Sequence, residues 1–211
     1  MKKCIYILCS LNLLFSLGCT IRNTTNKLIK VPVPERVEGQ ADVLELTAPK
    51  LDIVRVGFIG LGMRGISAVE RFIHIPGTKI VALCDIRPEC VDKSQKVLID
   101  AGLPKAVTYT GNDVTIESLY ENMKLTSDKF GDYTGNEEAW KKLCERNDID
   151  LVYIATDWKH HAPMAIYSME QGKHAAVEVP AAMNMEEIWD IINTSEKTRK
   201  HCIQLENCVY D

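Results

Sequence analysis

Basic charge is scarce in this chain of 211 residues: 25 Lys and Arg stand against 29 Asp and Glu, for a formal charge of -4 and a pI near 5.8. Without a broad basic surface, nucleic acid is excluded as the main partner. Closely paired cysteines are also missing. None of the eight forms a C-x-x-C pair, which excludes a zinc site of the finger or ribbon kind, and their scatter argues against a dense disulfide framework. Nowhere does an apolar run reach the roughly 20 residues that a spanning helix needs, so an integral membrane protein is excluded. What remains, 46% hydrophobic and 26% charged, is an ordinary globular composition with enough length for one good core.

The N-terminus is the first positive feature. Met1-Lys2-Lys3 precedes an apolar segment from Cys4 to Leu17, which contains Asn12, and then Gly18-Cys19. A charged start, a short apolar stretch and a small-residue cleavage site make an export signal over residues 1–18. Ser16-Leu17-Gly18-Cys19 resembles a bacterial lipoprotein signal, in which Cys19 is lipidated and becomes the mature N-terminus. The alternative is an ordinary secreted or periplasmic protein. Cys4 and Cys9 would leave with the signal, and the five scattered cysteines beyond Cys19 read as small buried apolar residues. Residues 19–50 show no period of 2 or 3.6 and carry Val31-Pro32-Val33-Pro34, so they read as a linker ahead of a domain over 51–211.

That domain opens on Ile53 to Ile59, an apolar run that breaks into Gly60-Leu61-Gly62-Met63-Arg64-Gly65. Strand, glycine turn and helix follow one another here in the G-x-G-x-x-G spacing. Gly60 permits the tight turn, Gly62 lets backbone approach a pyrophosphate, and Gly65 allows the helix to pack closely on the strand. Alone the motif is weak, because such turns also occur without a ligand. Lys79 to Cys84 then reads as a second strand covered on both faces, and Asp85 at its end lies 20 residues beyond Gly65. A carboxylate at that distance suits the ribose hydroxyls of NAD and repels a 2'-phosphate. Arg87 keeps NADP open, and the bland role for Asp85 is to cap the helix that begins near Pro88.

Pro88 to Ala101 predicts a helix, Ala106 to Tyr109 a short strand, and 111–135 a polar insertion at the rim of a nucleotide crevice. A helix starting at Asn136, a strand over 150–155, a helix opened by Pro163, a strand over 173–177 and a last helix and strand continue the alternation. Asn184 with Glu187 makes a capping-box-like start to that last helix, whose Met185, Ile188, Trp189 and Ile192 share the face expected to be buried. This alternation implies a doubly wound parallel α/β sheet, a Rossmann domain. Carboxyl ends of its strands would line the crevice, which makes Thr156 to Pro163 the second candidate site. His161 reads equally as a cofactor contact or as a helix-start residue bonded to backbone, and His160 as exposed. The histidine pair lacks further ligands for a metal.

The glycine turn, Asp85, Trp158-Lys159-His160-His161-Ala162-Pro163, Val177-Glu178-Val179-Pro180-Ala181-Ala182 and Glu206-Asn207-Cys208-Val209-Tyr210 resemble the glucose-fructose oxidoreductase and inositol dehydrogenase superfamily. More closely they resemble glycoside hydrolase family 109, the NAD-dependent alpha-N-acetylgalactosaminidases. The resemblance covers Asp52 to Asp211 and implies NAD contacts from Gly60, Gly62, Met63 and Arg64 at the phosphate turn, Asp85 at the ribose and Trp158 and His161 at the crevice. It further implies Glu178 and Val179 near the nicotinamide and Asn207 at the last strand end. Simple dehydrogenases of the superfamily carry Glu-Lys-Pro where this chain has Glu178-Val179-Pro180.

The implied reaction oxidises the sugar C3 hydroxyl, eliminates the C1 substituent from the acidified C2 position, adds water and returns the hydride. Catalytic groups would stand in a second α/β domain beyond the last strand, which the resemblance implies and this sequence does not include. A retained cofactor that recovers its hydride suits an exported protein, which meets no obvious free nicotinamide pool. The implied partner is a saccharide with a terminal alpha-N-acetylgalactosamine, with the membrane met only through the lipid and oligomeric state left open. Two other readings stand beside it: an exported sugar or polyol NAD oxidoreductase, and an exported NAD-binding remnant without catalysis.

Overall fold

The computed structural model describes residues 33–36, 38–110 and 137–206. The expected signal peptide with Cys19, the interval 111–135 and Asn207 lie outside the described residues. The elements in chain order are β1 (Val54–Ile59), α1 (Met63–Phe72), β2 (Thr78–Asp85), α2 (Pro88–Asp100) and β3 (Val107–Thr110), then α3 (Glu137–Cys144), β4 (Leu151–Ile154), α4 (Trp158–Glu170), β5 (His174–Glu178), α5 (Met185–Thr198) and β6 (Cys202–Leu205).

All strand pairs are parallel, and the sheet order is β3-β2-β1-β4-β5-β6. Successive side chains alternate across the sheet, and helices cover both faces. Val56, Phe58, Leu83 and Tyr153 pack with Ala68, Val69, Val91 and Leu98 of α1 and α2. Ile59, Val152, Ile154 and Val177 pack on the other face with Leu143, Met164, Ala165 and Met169 of α3 and α4. This is the doubly wound Rossmann architecture that the strand-helix alternation predicts. The order reverses between β1 and β4, and there the two chain directions diverge and open a crevice.

Side-chain pairs lock the opposite, amino-terminal edge. Asp150 accepts from the Arg55 backbone N–H and Nε, at 2.8 and 2.9 Å, through Oδ2 and from Nη2 through Oδ1 at 2.6 Å. This bidentate grip joins β1 to the start of β4, and the Arg55 hydrogen bond holds the Asp150 carboxyl below its usual range.

The compact unit begins at Arg36, so the part of the expected linker from Arg36 to Lys50 belongs with the domain. Arg36 grips buried Glu196 through Nε and Nη2, Gln40 Nε2 donates to Glu196 and Asn193, and Arg199 Nη1 donates to the carbonyls of Ala41 and Asp42. Polar anchoring of this kind leaves no periodic trace in sequence. It also changes α5. Its described buried residues are Ser195 and Glu196, whereas Met185 and Ile188, expected inside, are exposed.

Among the described residues no helix is long and apolar enough to cross a membrane, and no three His, Cys, Asp or Glu cluster as a metal site.

Candidate functional site

The crevice is built first from backbone. Gly60 leaves β1 at φ +85°, the left-handed region that favours glycine, and its N–H donates to Cys84 O at 2.8 Å. A Cβ on Gly60 would lie 2.5 Å from Ala155 O, so this turn can touch the end of β4 only as glycine. Gly65 sits closer still, since its Cβ would fall 1.9 Å from Gly60 O. Gly62 differs: its φ is -65°, open to any residue, and a Cβ there would meet only the flexible Arg87 Nη2 at 3.2 Å. Space rather than strain is what glycine supplies at position 62.

Gly62 also provides no side-chain cap for α1, and the first turn holds no acidic residue. The N–H groups of Met63, Arg64 and Gly65 are therefore left to an anion at the positive end of the helix dipole. Met63, at 83% exposure, and Arg64 stand open beside them.

Asp85, 6% exposed at the end of β2, is tied into this turn. Its Oδ2 accepts the Leu61 N–H at 2.6 Å, and its Oδ1 accepts the Arg87 N–H at 2.8 Å and Arg87 Nε at 3.3 Å. It does not cap α2, whose N-cap is Arg87. A carboxylate oxygen has two lone pairs. Oδ2 thus keeps one acceptor position for a hydroxyl, while the other bonds fix the carboxylate against the glycine turn.

The far side of the crevice comes from the ends of β4 and β5. Asp157 caps α4 by accepting Lys159 N–H at 3.1 Å. The helix accordingly starts at Trp158 and contains Pro163 rather than opening on it. Trp158 is 59% exposed. His160 is half-buried, with Nδ1 2.7 Å from Asp157 Oδ2. His161 is only 1% exposed, its Nδ1 2.8 Å from Pro180 O and its Nε2 3.1 Å from Thr156 O. It bridges the loop after β4 to the loop after β5, both ring nitrogens facing backbone carbonyls.

Glu178 ends β5 half-buried, with Oε1 accepting the Tyr153 hydroxyl at 2.8 Å. Val179 follows it, joined to Pro180 by a cis peptide bond. The structure therefore gathers Gly60, Gly62, Met63, Arg64 and Asp85 on one wall and Trp158, Glu178 and Val179 at the neighbouring strand ends, which buried His161 ties together. Sequence reading passed over Tyr153 and the Leu61 N–H. The only trace of Tyr153 was a hydroxyl in an otherwise apolar strand. This donor set fits NAD: uncapped helical N–H groups for the pyrophosphate, a glycine surface a Cβ would fill, and a buried carboxylate with one acceptor position left.

Comparisons with known proteins agree. A family model described as an oxidoreductase family with an NAD-binding Rossmann fold, GFO_IDH_MocA, matches residues 54–205. A glycosyl hydrolase family 109 protein of Phocaeicola vulgatus is 63% identical over 183 residues, which is 87% of this chain and 34% of that protein. One from Porphyromonas gingivalis is 60% identical over the same shares. The chain thus spans about a third of the length of the curated relatives it matches.

Among solved structures, myo-inositol dehydrogenase from Lactobacillus casei in complex with NAD(H) and myo-inositol gives a TM-score of 0.55 at 20% identity, covering 75% of this chain and 38% of that one. Biliverdin reductase from Synechocystis in complex with biliverdin and NADP+ gives 0.51 at 19%, covering 72% and 37%. These two show the shared fold. NAD is the cofactor of this domain. The chain belongs to the GFO_IDH_MocA family of oxidoreductases with an NAD-binding Rossmann fold and has glycosyl hydrolase family 109 proteins as high-identity relatives.

Proposed function

We propose that this chain is the cofactor-holding part of an exported NAD-dependent glycosidase that releases terminal alpha-N-acetylgalactosamine. NAD, when bound, supplies a hydride acceptor that can return the hydride within the same turnover. The chain's own part is to hold it: the α1 N-terminus on the pyrophosphate, Asp85 on the adenosine ribose, Trp158 along the crevice, and Glu178 and Val179 at the nicotinamide.

The observation that carries this reading is Val179. It stands half-buried at the end of β5, where it has no group to take a proton from a reacting hydroxyl. The proton lost when a hydroxyl is oxidised must go to a base in either reaction, and here that base lies outside these residues. The missing lysine sets this chain apart from the simple dehydrogenases of the superfamily, and the identity to glycosyl hydrolase family 109 proteins supports the glycosidase reading. Export and lipidation at Cys19 belong to this proposal and rest on the N-terminal sequence.

The test has two parts. NAD is titrated into the purified chain and binding followed by calorimetry, with one site per chain expected. A protein extending this chain to its relatives' length is then given p-nitrophenyl alpha-N-acetylgalactosaminide, and sugar release without accumulating NADH is expected. NADH accumulating on sugars or polyols would instead establish the oxidoreductase, and NAD binding with neither reaction would leave only a binding module. For the anchor, labelled palmitate should enter the wild type and be lost in Cys19→Ala.

A further inference from the structure

One buried hydroxyl in the core has no packing reason to exist. Tyr153 is 3% exposed on β4, with its ring stacked on Phe58 at 5.0 Å and edge-on to Phe72 at 5.6 Å. Phe58 and Phe72 themselves meet at 5.3 Å, edge to face. A phenylalanine would complete this three-ring cluster equally well, and a hydroxyl among apolar neighbours costs free energy unless it finds a partner. The partner it finds is not another core group. It is Glu178 Oε1, 2.8 Å away at the mouth of the crevice.

The pairing follows from strand geometry. Tyr153 lies opposite Ala176 in the parallel register, and Glu178 is two residues further along β5 on the same face of the sheet. The tyrosine ring therefore reaches diagonally up the sheet toward the carboxyl end, carrying its donor from the core to the site. Burial pushes the Tyr153 hydroxyl's pKa up, the bond to Glu178 and the charge of that carboxylate add to the rise, and the Arg71 guanidinium of α1 partly opposes it. The hydroxyl keeps its proton and stays a donor. Among the described residues Oε2 of Glu178 has no hydrogen-bond partner, which leaves it as the oxygen free to meet a ligand.

We propose that Tyr153 is a positioning residue for the nicotinamide half of the cofactor, acting by fixing one carboxylate oxygen of Glu178 so that the other is presented to the ligand. It rests on the assignment of Glu178 to the nicotinamide end. Tyr153 touches no ligand itself. Its action passes through one hydrogen bond anchored in an aromatic cluster that α1, β1 and β4 share, so the glycine turn and Glu178 are held to a common piece of core.

Tyr153→Phe keeps the ring and removes only the donor. Binding of NAD and of ADP-ribose, which keeps the adenosine and pyrophosphate and lacks the nicotinamide, separates positioning from general damage. The expected result is a five- to tenfold weaker Kd for NAD, about the net strength of one ordinary hydrogen bond, with ADP-ribose within twofold of wild type. Equal weakening of both ligands would show a structural role and overturn the proposal, as would an unchanged NAD affinity. Glu178→Ala provides the second arm. It should weaken NAD and spare ADP-ribose, and adding Tyr153→Phe to it should change nothing further. An additive double variant would show that Tyr153 does not act through Glu178. If Glu178→Ala leaves NAD unaffected, the placement of Glu178 itself is wrong and the proposal falls with it.

Discussion

Alanine at two glycines of the same turn should weaken NAD binding for different reasons and differ in its effect on stability, because one alanine meets backbone and the other meets the ligand's space. At Gly65 the new Cβ would stand 1.9 Å from Gly60 O and 2.8 Å from Gly60 C. An ordinary contact to that oxygen needs more than 1 Å of further separation. The carbonyl cannot yield that distance easily, since Gly60 N–H is bonded to Cys84 O and the turn lies against Ala155. The start of α1 has to lift from β1 instead. Overpacking against a well-packed interior costs typically 1–3 kcal/mol, and with no soft neighbour the upper end applies. For a chain of this size each kcal/mol moves Tm by about 2–4 °C, so Gly65→Ala should melt about 6–12 °C lower. NAD binding should go with it.

At Gly62 the same substitution meets only the tip of Arg87 and adopts an ordinary φ. Exchanging glycine for alanine at an N-cap costs roughly 1 kcal/mol or less, so Tm should stay within about 4 °C of wild type. The methyl group nevertheless occupies the surface that the pyrophosphate must approach, and NAD should bind at least about tenfold more weakly, which corresponds to 1.4 kcal/mol. Thermal melts followed by circular dichroism and NAD titration by calorimetry give the two readouts. Wild-type NAD affinity in Gly62→Ala would refute the phosphate-turn assignment. An unshifted melt in Gly65→Ala would refute the helix-on-strand contact from which the cost is worked.

Asp85→Ala should lower both stability and NAD affinity, because it strands the buried Leu61 N–H, a loss of about 1–3 kcal/mol. Asp85→Asn, which retains an oxygen for that N–H, should recover most of the melt but not the binding; NAD titration that matched wild type would remove Asp85 from the ribose. A pH effect is expected at the other end of the sheet. His174 Nδ1 accepts the His201 N–H at 3.0 Å, which requires an unprotonated nitrogen. Burial, then the charges of Lys200 and His201, push the His174 pKa below its ordinary value of 6.5, with Asp150 partly opposing. The unfolded chain thus binds the proton more readily, so stability is full above pH 6.5 and declines as pH falls from there toward the folded value. Melts between pH 8 and 5 should show this decline in the wild type, and His174→Gln should flatten it.

How much of this was legible in the sequence depends on the kind of contact. Alternating apolar runs and helical periods report which side of one element is buried, and they led correctly to a parallel doubly wound sheet with the glycine turn at its centre. The 20-residue spacing from Gly65 to Asp85 likewise placed the acid beside the turn, because β2 must return alongside β1. Periodicity is blind to single polar pairs between distant elements. Tyr153 meets Glu178, Arg36 meets Glu196, and His161 meets Pro180 O through geometry that only the assembled sheet creates. It also misled at α5. There the apolar residues Met185 and Ile188 face outward, and the described burial falls on Ser195, bonded to Lys200 O, and on Glu196, which Arg36 and Gln40 grip. A helix at the edge of a sheet, contacted along part of its length, does not obey a pattern written for a fully covered one.

Hydride return imposes a kinetic condition that this domain's crevice can be measured against. If the cofactor is to serve many turnovers without exchange, it must leave more slowly than the reaction proceeds. Association near 10⁶ M⁻¹s⁻¹ with a Kd of about 1 μM means release about once per second, as fast as turnover at the slow end of the ordinary range of about 1–1000 s⁻¹. Retention through a thousand cycles needs a Kd lower by three powers of ten, about 4 kcal/mol more binding. The walls described here are open, with Met63 and Trp158 exposed at the lip, and burial of such surfaces is the ordinary source of that energy. The other two thirds of the relatives' length is where cover can come from. NAD should therefore exchange from this chain within seconds of mixing with labelled NAD, and from a protein of the relatives' full length over about a quarter of an hour or longer, the lifetime that a thousandfold slower release gives. Equally fast exchange from both would remove the kinetic basis for a cycle that keeps its hydride.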